Sequence, residues 1–450
     1  MRTPMLKCFF TRAGTAAACA ILAAFICTPA RPQTAAISQP IYPLSQIHRG
    51  LHGVAYTVFE GSTPEPIDVE ILGVLPNAIG PGEDLILSRL VGTRSEYMGV
   101  AAGMSGSPVY IDGKLVGAIG YRIGRFTKQP IAGITPIQQM LEVASITGVD
   151  KNTLPETHPT ASRGFSSAAN WSPAASSTLQ PIETPLVFNG FSPEAIDLFK
   201  KRIPSLGLTP VSGLGGASPT KTDPAPVVPG SAISAIIVSG DFNMAATCTV
   251  TYVDPRKLLA CGHPITRFGD ISLPMSKAVV VTTIASSLDP MKVITTTETI
   301  GSFTEDRAAG ILGVFGKTAH MIPITLAIQG IPRPHTYHFA IAEHPRLTSG
   351  AMVATLFQAM QDTNGYNEPS TYNLTGEITL DGYLPVRIDE WIAPTSTEPA
   401  SLTAATTIGQ RFDSIFRNPR DLPSIRTVSL RLDSLPGQHS ALLVEAHALT

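Results

Sequence analysis

GMSGSPVYIDGKLVGAIGY, residues 103–121, is the stretch from which the rest of the chain is read. Its second part is a β-hairpin. Asp112-Gly113 separates the apolar runs VYI and KLVGAIGY, and an Asp-Gly pair supplies the positive φ angles that a two-residue hairpin turn needs. Its first part sets Ser105 and Ser107 among glycines, directly ahead of a proline. One reading of GMSGSP is a tight turn feeding a strand. The other is a serine nucleophile, Ser105, on a turn whose Gly103 and Ser105 N–H groups converge on one oxyanion. Position 107 is serine and no helix follows, so this is not the G-x-S-x-G elbow of α/β-hydrolases.

Working outward, GVAYTVFEG (53–61), IDVEILGVL (67–75) and LILSRLVG (85–92) read as strands. ITPIQQMLEVASI (134–146) has helical spacing, with Thr135 as cap and Pro136 in the first turn. From 153 to 185 Ser, Thr, Pro and Ala dominate, the composition of a linker. Ser192-Pro193-Glu194 then caps a short helix, EAIDLFKKR, and a second loose stretch runs over 212–229. Beyond it AISAIIVSG, ATCTVTYV, LLACGHPI, KAVVVTTI and GSFTEDRAAGILGVFG are strand-like. Asp254 to Lys257 forms the turn of a hairpin, and ITLAIQG, YNLTGEITLDGY and TVSLRLDSL extend the β pattern. The expected fold is mostly β with few short helices. A β unit carrying the serine motif (41–150) precedes a Pro/Ser/Thr-rich linker with a short helix (151–229). A β unit carrying a histidine motif (230–345) and a C-terminal β-rich region (346–450) follow.

Composition agrees. Charged residues are 15%, aromatics 6%, and there are 38 Gly and 39 Pro, a mix that favours short strands and turns over long amphipathic helices. The net charge of −2 with no sustained basic run gives nucleic acid no electrostatic footing. MRTPMLKCFFTR, with Arg2, Lys7 and Arg12, precedes the apolar AGTAAACAILAAFICTPA. Residues 1–30 therefore read as a secretory signal peptide cleaved after Ala30, the rival being an uncleaved inner-membrane anchor. No later segment is apolar enough to span a bilayer, so no stable membrane span is expected after cleavage. The mature protein is expected in the periplasm or outside the cell. Cys8, Cys19 and Cys27 lie in the signal, leaving Cys248 and Cys261 as one disulfide or as two buried thiols.

A serine hydroxyl needs a base. His263, in ACGHPI, ends a strand between Gly262 and Pro264 and falls in the half that lacks the serine. His48 and His52 sit in the leading loop. His335, His338 and His344 crowd a late strand region with no metal-ligand spacing, and His263 with Cys248 and Cys261 makes a poor cage, so neither metal nor cofactor is expected.

GLHGVAYTVFEG, DVEILGVL, GMSGSPVYIDGKLVGAI, AGITPI, VSGDFNMAATCTVTYVD, GHPI and GSFTEDRAAGILG together resemble the SpoIVB-type serine peptidases, and more closely the exported SpoIVB-like proteins of environmental bacteria. The resemblance covers residues 50–316. It implies two trypsin-like β-barrel units, Ser105 as nucleophile, His263 as general base and a protein or peptide substrate cleaved for signalling. Two departures stand against it. The serine half here precedes the histidine half, a permuted order that a geometrically defined site tolerates. The family's Asp upstream of the serine is also missing, since residues 85–104 hold only Glu96 as an acid. Asp306, in TEDRAAG, is the first candidate for the orienting acid and Asp84 the second. Both, like Asp254 and Asp270, also read as turn or cap residues. A Ser–His dyad and a fold that has lost catalysis stay open. The expected function is an exported serine endopeptidase. The alternatives are a noncatalytic envelope protein that binds peptides or partners in the same cleft, and a structural β protein with no site.

Overall fold

The computed structural model describes residues 39–124, 127–146, 179–203, 208–213, 222–329, 334–364 and 370–439. The signal-like N-terminus and most of the Ser/Pro-rich linker lie outside them. Among the described residues the chain is mostly β, with twenty strands and five α-helices. The serine half contributes β1 (His52–Thr57), β2 (Glu65–Gly80), β3 (Glu83–Val91), helix α1 (Thr93–Met98), β4 (Ser107–Ile111), β5 (Lys114–Ile123), β6 (Ile131–Pro136) and helix α2 (Ile137–Ile146). Its strands run in the order β4-β1-β2-β3-β6-β5, and the β4–β5 hairpin closes them into a six-stranded antiparallel barrel. Alternate residues point inward, so Ala55, Ile67, Val69, Ile71, Ile86, Val109 and Ile134 share one core.

The helix expected over 134–146 begins at Ile137 instead. Ile134 pairs with Ile86 on one side and Ile119 on the other, so its segment completes the barrel wall. Thr135 donates its hydroxyl to the Gly262 carbonyl (2.5 Å) and caps nothing. Tertiary pairing overrides the local helical spacing here.

Past the linker come β7 (Leu179–Pro181), β8 (Thr184–Asn189), α3 (Pro193–Arg202) and β9 (Leu208–Ser212). The Ser192 hydroxyl caps α3 as expected, accepting from the Ala195 N–H (3.3 Å). β7 adds to the edge of β5, and β8 pairs with a strand of the second half. That half is built from β10 (Ala232–Gly240), β11 (Asn243–Val253), β12 (Lys257–Ala260), β13 (Gly269–Ile284), β14 (Met291–Arg307) and β15 (Gly310–Phe315). The order β10-β13-β14-β15-β12-β11, with β10 paired back to β11, closes a second ring of six antiparallel strands.

The C-terminal region continues this second sheet. It holds β16 (Met321–Gln329), β17 (His335–Ala342), α4 (Thr348–Asn364), β18 (Ser370–Leu380), β19 (Val386–Ile392), α5 (Ala400–Phe416) and β20 (Ile425–Pro436). β17 pairs with β10, and β20 lies parallel to β16. Helices α4 and α5, each 17 residues, are the elements the β-rich reading of this region did not anticipate. Residues 348–360 of α4 are buried on every side, so it has no polar face to reveal a 3.6-residue period. In α5 the buried stripe Ala400, Ala404, Ile408 and Phe412 is faint because half of it is alanine.

The two barrels meet on an apolar seam where Leu115, Ala118, Ile137 and Met140 pack against Leu259 and Leu312. On the histidine side of the seam Cys248 and Cys261 form a disulfide, with Cα atoms 5.3 Å apart and 13 residues of separation. Closing a loop of that length in the unfolded chain stabilises the fold by about 3 kcal/mol. Replacing both cysteines by alanine should lower the urea-unfolding free energy by that order. Two free thiols in the intact mass of the purified, unreduced protein would contradict the bond.

Candidate active site

Ser105 sits on the turn between α1 and β4, at the seam. The turn is clamped from behind by β11. Thr249 N–H donates to the Ser105 carbonyl (2.7 Å), Thr249 Oγ1 to the Gly103 carbonyl (2.9 Å) and Thr251 Oγ1 to the Gly106 carbonyl (2.8 Å). Gly103 and Gly106 take φ of +90° and +96°, which side-chain-bearing residues rarely adopt. A Cβ at Gly106 would lie 1.8 Å from the Thr249 carbonyl oxygen and 2.5 Å from the Cys261 nitrogen. No side chain fits between the serine turn and the histidine hairpin.

The clamps also aim the N–H groups. In a planar peptide the carbonyl of one residue and the N–H of the next point opposite ways. The Ala102 carbonyl accepts from Lys292 N–H (3.1 Å), which turns the Gly103 N–H toward the other side, where it meets the Glu183 carbonyl (3.3 Å). The Met104 carbonyl accepts from the Ser107 N–H (3.0 Å) and hydroxyl (2.6 Å), which turns the Ser105 N–H away from them. Both expected oxyanion donors are thus set by bonds behind them.

His263 follows two residues in left-handed conformation, Cys261 (φ +70°) and Gly262 (φ +67°), which swing it off β12 into the seam. Its ring lies edge-on to Tyr121, with centroids 6.3 Å apart. Nδ1 is 2.8 Å from the Pro264 carbonyl oxygen. A carbonyl only accepts, so the neutral ring carries its proton on Nδ1 and leaves Nε2 bare. Burial pushes the pKa of His263 down to about 4, with the Pro264 and Ile182 carbonyls opposing and the positive charge of Arg267 adding to the fall. Nε2 and the Ser105 Oγ are both buried without a hydrogen bond, at residue exposures of 1% and 0%. The structure brings these two residues to one seam but does not bond them to each other.

Asp306 makes no hydrogen bond to the imidazole. Its carboxylate accepts from the N–H groups of Ile265 (2.9 Å), Thr266 (2.5 Å) and Arg267 (3.0 Å) and from the Thr266 hydroxyl. Burial pushes its pKa up while these four bonds pull it down. It fixes the backbone just after His263 and acts on the ring only through that loop. Asp84 lies in the β2–β3 hairpin and accepts from the Asn77 N–H (2.9 Å). Asp254 accepts from the Arg256 and Lys257 N–H groups in its hairpin turn, and Asp270 pairs with Arg307. His335 packs edge-on to Tyr337, and His344 stacks on Phe268. Among the described residues no group of three or more His, Cys, Asp or Glu is placed to hold a metal ion, and no helix is long and apolar enough to cross a membrane.

Three residues of the site escaped the sequence reading. Lys292, on β14, is buried beneath the turn. Its stem lies against Gly103, its Nζ donates to the Thr57 hydroxyl (2.7 Å), and burial pushes its pKa down to about 7. Arg122 and Glu183 form an ion pair across the β5–β7 edge. An isolated lysine or arginine in a strand carries no mark of burial, and Glu183 falls in a stretch whose composition reads as linker. Comparison with protein-family models, with curated proteins and with solved structures finds no match to this chain.

Proposed function

We propose that the protein is an exported serine endopeptidase of the SpoIVB type, with Ser105 as nucleophile and His263 as general base. The observation that carries the reading is that one buried seam holds two unsatisfied groups: a serine Oγ, and the bare Nε2 of an imidazole whose tautomer is set by a carbonyl. Two closed six-stranded antiparallel rings that meet at that seam support the reading.

In this reading Nε2 takes the Ser105 proton as Oγ bonds to the peptide carbonyl carbon. The oxyanion receives the Gly103 and Ser105 N–H groups. Collapse breaks the C–N bond, and the imidazolium returns its proton to the leaving amine. Water then gives a proton to Nε2, attacks the acyl-enzyme and restores the serine. The Pro264 carbonyl does the orienting that a carboxylate does in a triad, with less stabilisation of the imidazolium. A noncatalytic envelope protein that binds peptides or partners in the same seam is the second reading. It is favoured by the full burial of Ser105 and by the lack of a carboxylate on His263.

A fluorophosphonate probe on folded, exported protein tests the first reading. Ser105 should be labelled in the wild type or in Glu183→Ala, and labelling should vanish in His263→Ala. Silence in both folded proteins moves the function to the second reading. The rate of labelling should keep a neutral base down to about pH 4, so its acid limb lies there instead of near 6.5. Stability follows the same group. The unfolded histidine binds a proton below about pH 6.5 and the native one only below about 4. The native state is therefore progressively destabilised as pH falls through that window, at up to about 1.4 kcal/mol per pH unit. His344, also lowered to about 4 by burial, adds a contribution of the same sign. Urea unfolding at several pH values reads the slope.

A further inference from the structure

The seam is occupied by the chain itself. β7 runs antiparallel along the end of β5, with Pro181 opposite Tyr121, Gln180 opposite Arg122 and Leu179 opposite Ile123. The Ile182 N–H continues the ladder to the Gly120 carbonyl (2.9 Å), and the Glu183 carbonyl then reaches the Gly103 N–H (3.3 Å). A strand added to a sheet edge, ending with a carbonyl on an oxyanion donor, is the pose in which an extended peptide is presented to a serine nucleophile. Residues 179–183 hold that pose without being a substrate.

The side chains say what such a peptide would carry. Arg122 is on β5, beside the ladder, with its side chain only 6% exposed, and its Nη2 donates to the Glu183 carboxylate, itself 19% exposed. A guanidinium this far from water requires an anion, and its planar fork fits a carboxylate through two donors. Here the fork is used incompletely, because the Arg122 Nε is buried with no partner. A cavity of about 320 Å³, lined by Glu96, Met98, Arg122, Lys128 and Pro290 among others, opens beside Arg122 and offers a way in. A carboxylate on an untethered peptide is free to engage both edges of the fork, which Glu183, held by its own backbone, does not.

We infer that the seam recognises extended peptide segments with an acidic side chain against Arg122, and that residues 179–183 are an internal mimic of such a segment that keeps the site closed. The closure rests on the peptidase reading, whereas the recognition does not.

Two measurements separate them. The first compares fluorophosphonate labelling of Ser105 in wild type, Glu183→Ala and the more conservative Glu183→Gln, with folding checked by circular dichroism. Losing the anion that anchors the segment should speed labelling at least tenfold in Glu183→Ala, and by a smaller factor in Glu183→Gln. Equal rates in all three overturn the closure. Silence in all three overturns the peptidase reading and the closure with it. The second needs no catalysis. Fluorescein-labelled LQPIET, the sequence of residues 179–184, and its LQPIQT counterpart are titrated into Ser105→Ala/Glu183→Ala by fluorescence anisotropy. The acidic peptide should bind at least tenfold more tightly, and adding Arg122→Leu should erase the difference. Equal affinity for the two peptides overturns the acidic recognition whatever the labelling shows.

Discussion

Ser105→Ala should reduce peptide hydrolysis by on the order of a million-fold and leave the folded chain as stable as wild type or slightly more so. In the proposed mechanism the activity loss follows from removing the atom that bonds to the substrate carbonyl, after which His263 has no proton to take. The stability result is the more discriminating half. Ser105 Oγ is fully buried and has no hydrogen-bond partner, and a polar group in that state destabilises its fold by about 1–3 kcal/mol. Alanine keeps the Cβ and the backbone conformation, while Thr249 and Thr251 continue to hold the carbonyls of Gly103, residue 105 and Gly106. Hydrolysis rates and thermal unfolding of one preparation settle both halves. A fall in stability of more than about 1 kcal/mol would mean that the hydroxyl has a structural partner, since ordinary tolerated substitutions stay within about 0.5 kcal/mol.

Gly106→Ala, one residue along, should do the opposite and cost at least about 4 kcal/mol, in the range reserved for severe steric or packing defects. Two penalties combine. A φ of +96° is strained for any residue with a Cβ, and that Cβ would sit 1.8 Å from a carbonyl oxygen and 2.5 Å from a backbone nitrogen, neither of which belongs to a flexible side chain. Relief requires the serine turn to move off β11, which breaks the Thr251–Gly106 bond and widens the seam that holds His263. Gly113→Ala is the control. It has positive φ (+73°) in the Asp112-Gly113 hairpin turn but nothing within 4 Å of its added Cβ, so strain alone acts and the cost should be about 1–2 kcal/mol. Urea unfolding of both variants separates strain from collision. Equal costs would show that the two barrels do not meet at Gly106 as described.

What was legible in the chain was what neighbouring residues encode among themselves. Asp112-Gly113 specifies its hairpin because positive φ at both positions suits few other residue pairs. Ser192 announces its cap, and glycines on both sides of Ser105 announce a turn of unusual dihedrals. Period-2 runs such as IDVEILGVL mark strands with one buried face. Even the Cys248–Cys261 bond was within reach, because the two residues lie on arms of one short hairpin. Where a pattern was local but its outcome was not, reading stopped short. The helical spacing of 134–146 lost its first turn to barrel closure. The uniformly buried helix α4 displayed no face at all.

By itself, then, the sequence determined a mostly β chain with a serine turn in one half and a histidine hairpin in the other. Only the tertiary structure decided that the two meet in a closed seam and that a carbonyl, not a carboxylate, sets the tautomer of His263. It also placed Asp306 in a backbone cage, Lys292 under the turn, and Glu183 against Arg122. The reason is physical. Turn and strand preferences are set by steric and hydrogen-bonding terms between residues a few positions apart. Burial, and the partner that a buried charge or carbonyl must find, depend on residues 41 to 235 positions away, as with Asp306 and Ile265, Arg122 and Glu183, or Lys292 and Thr57.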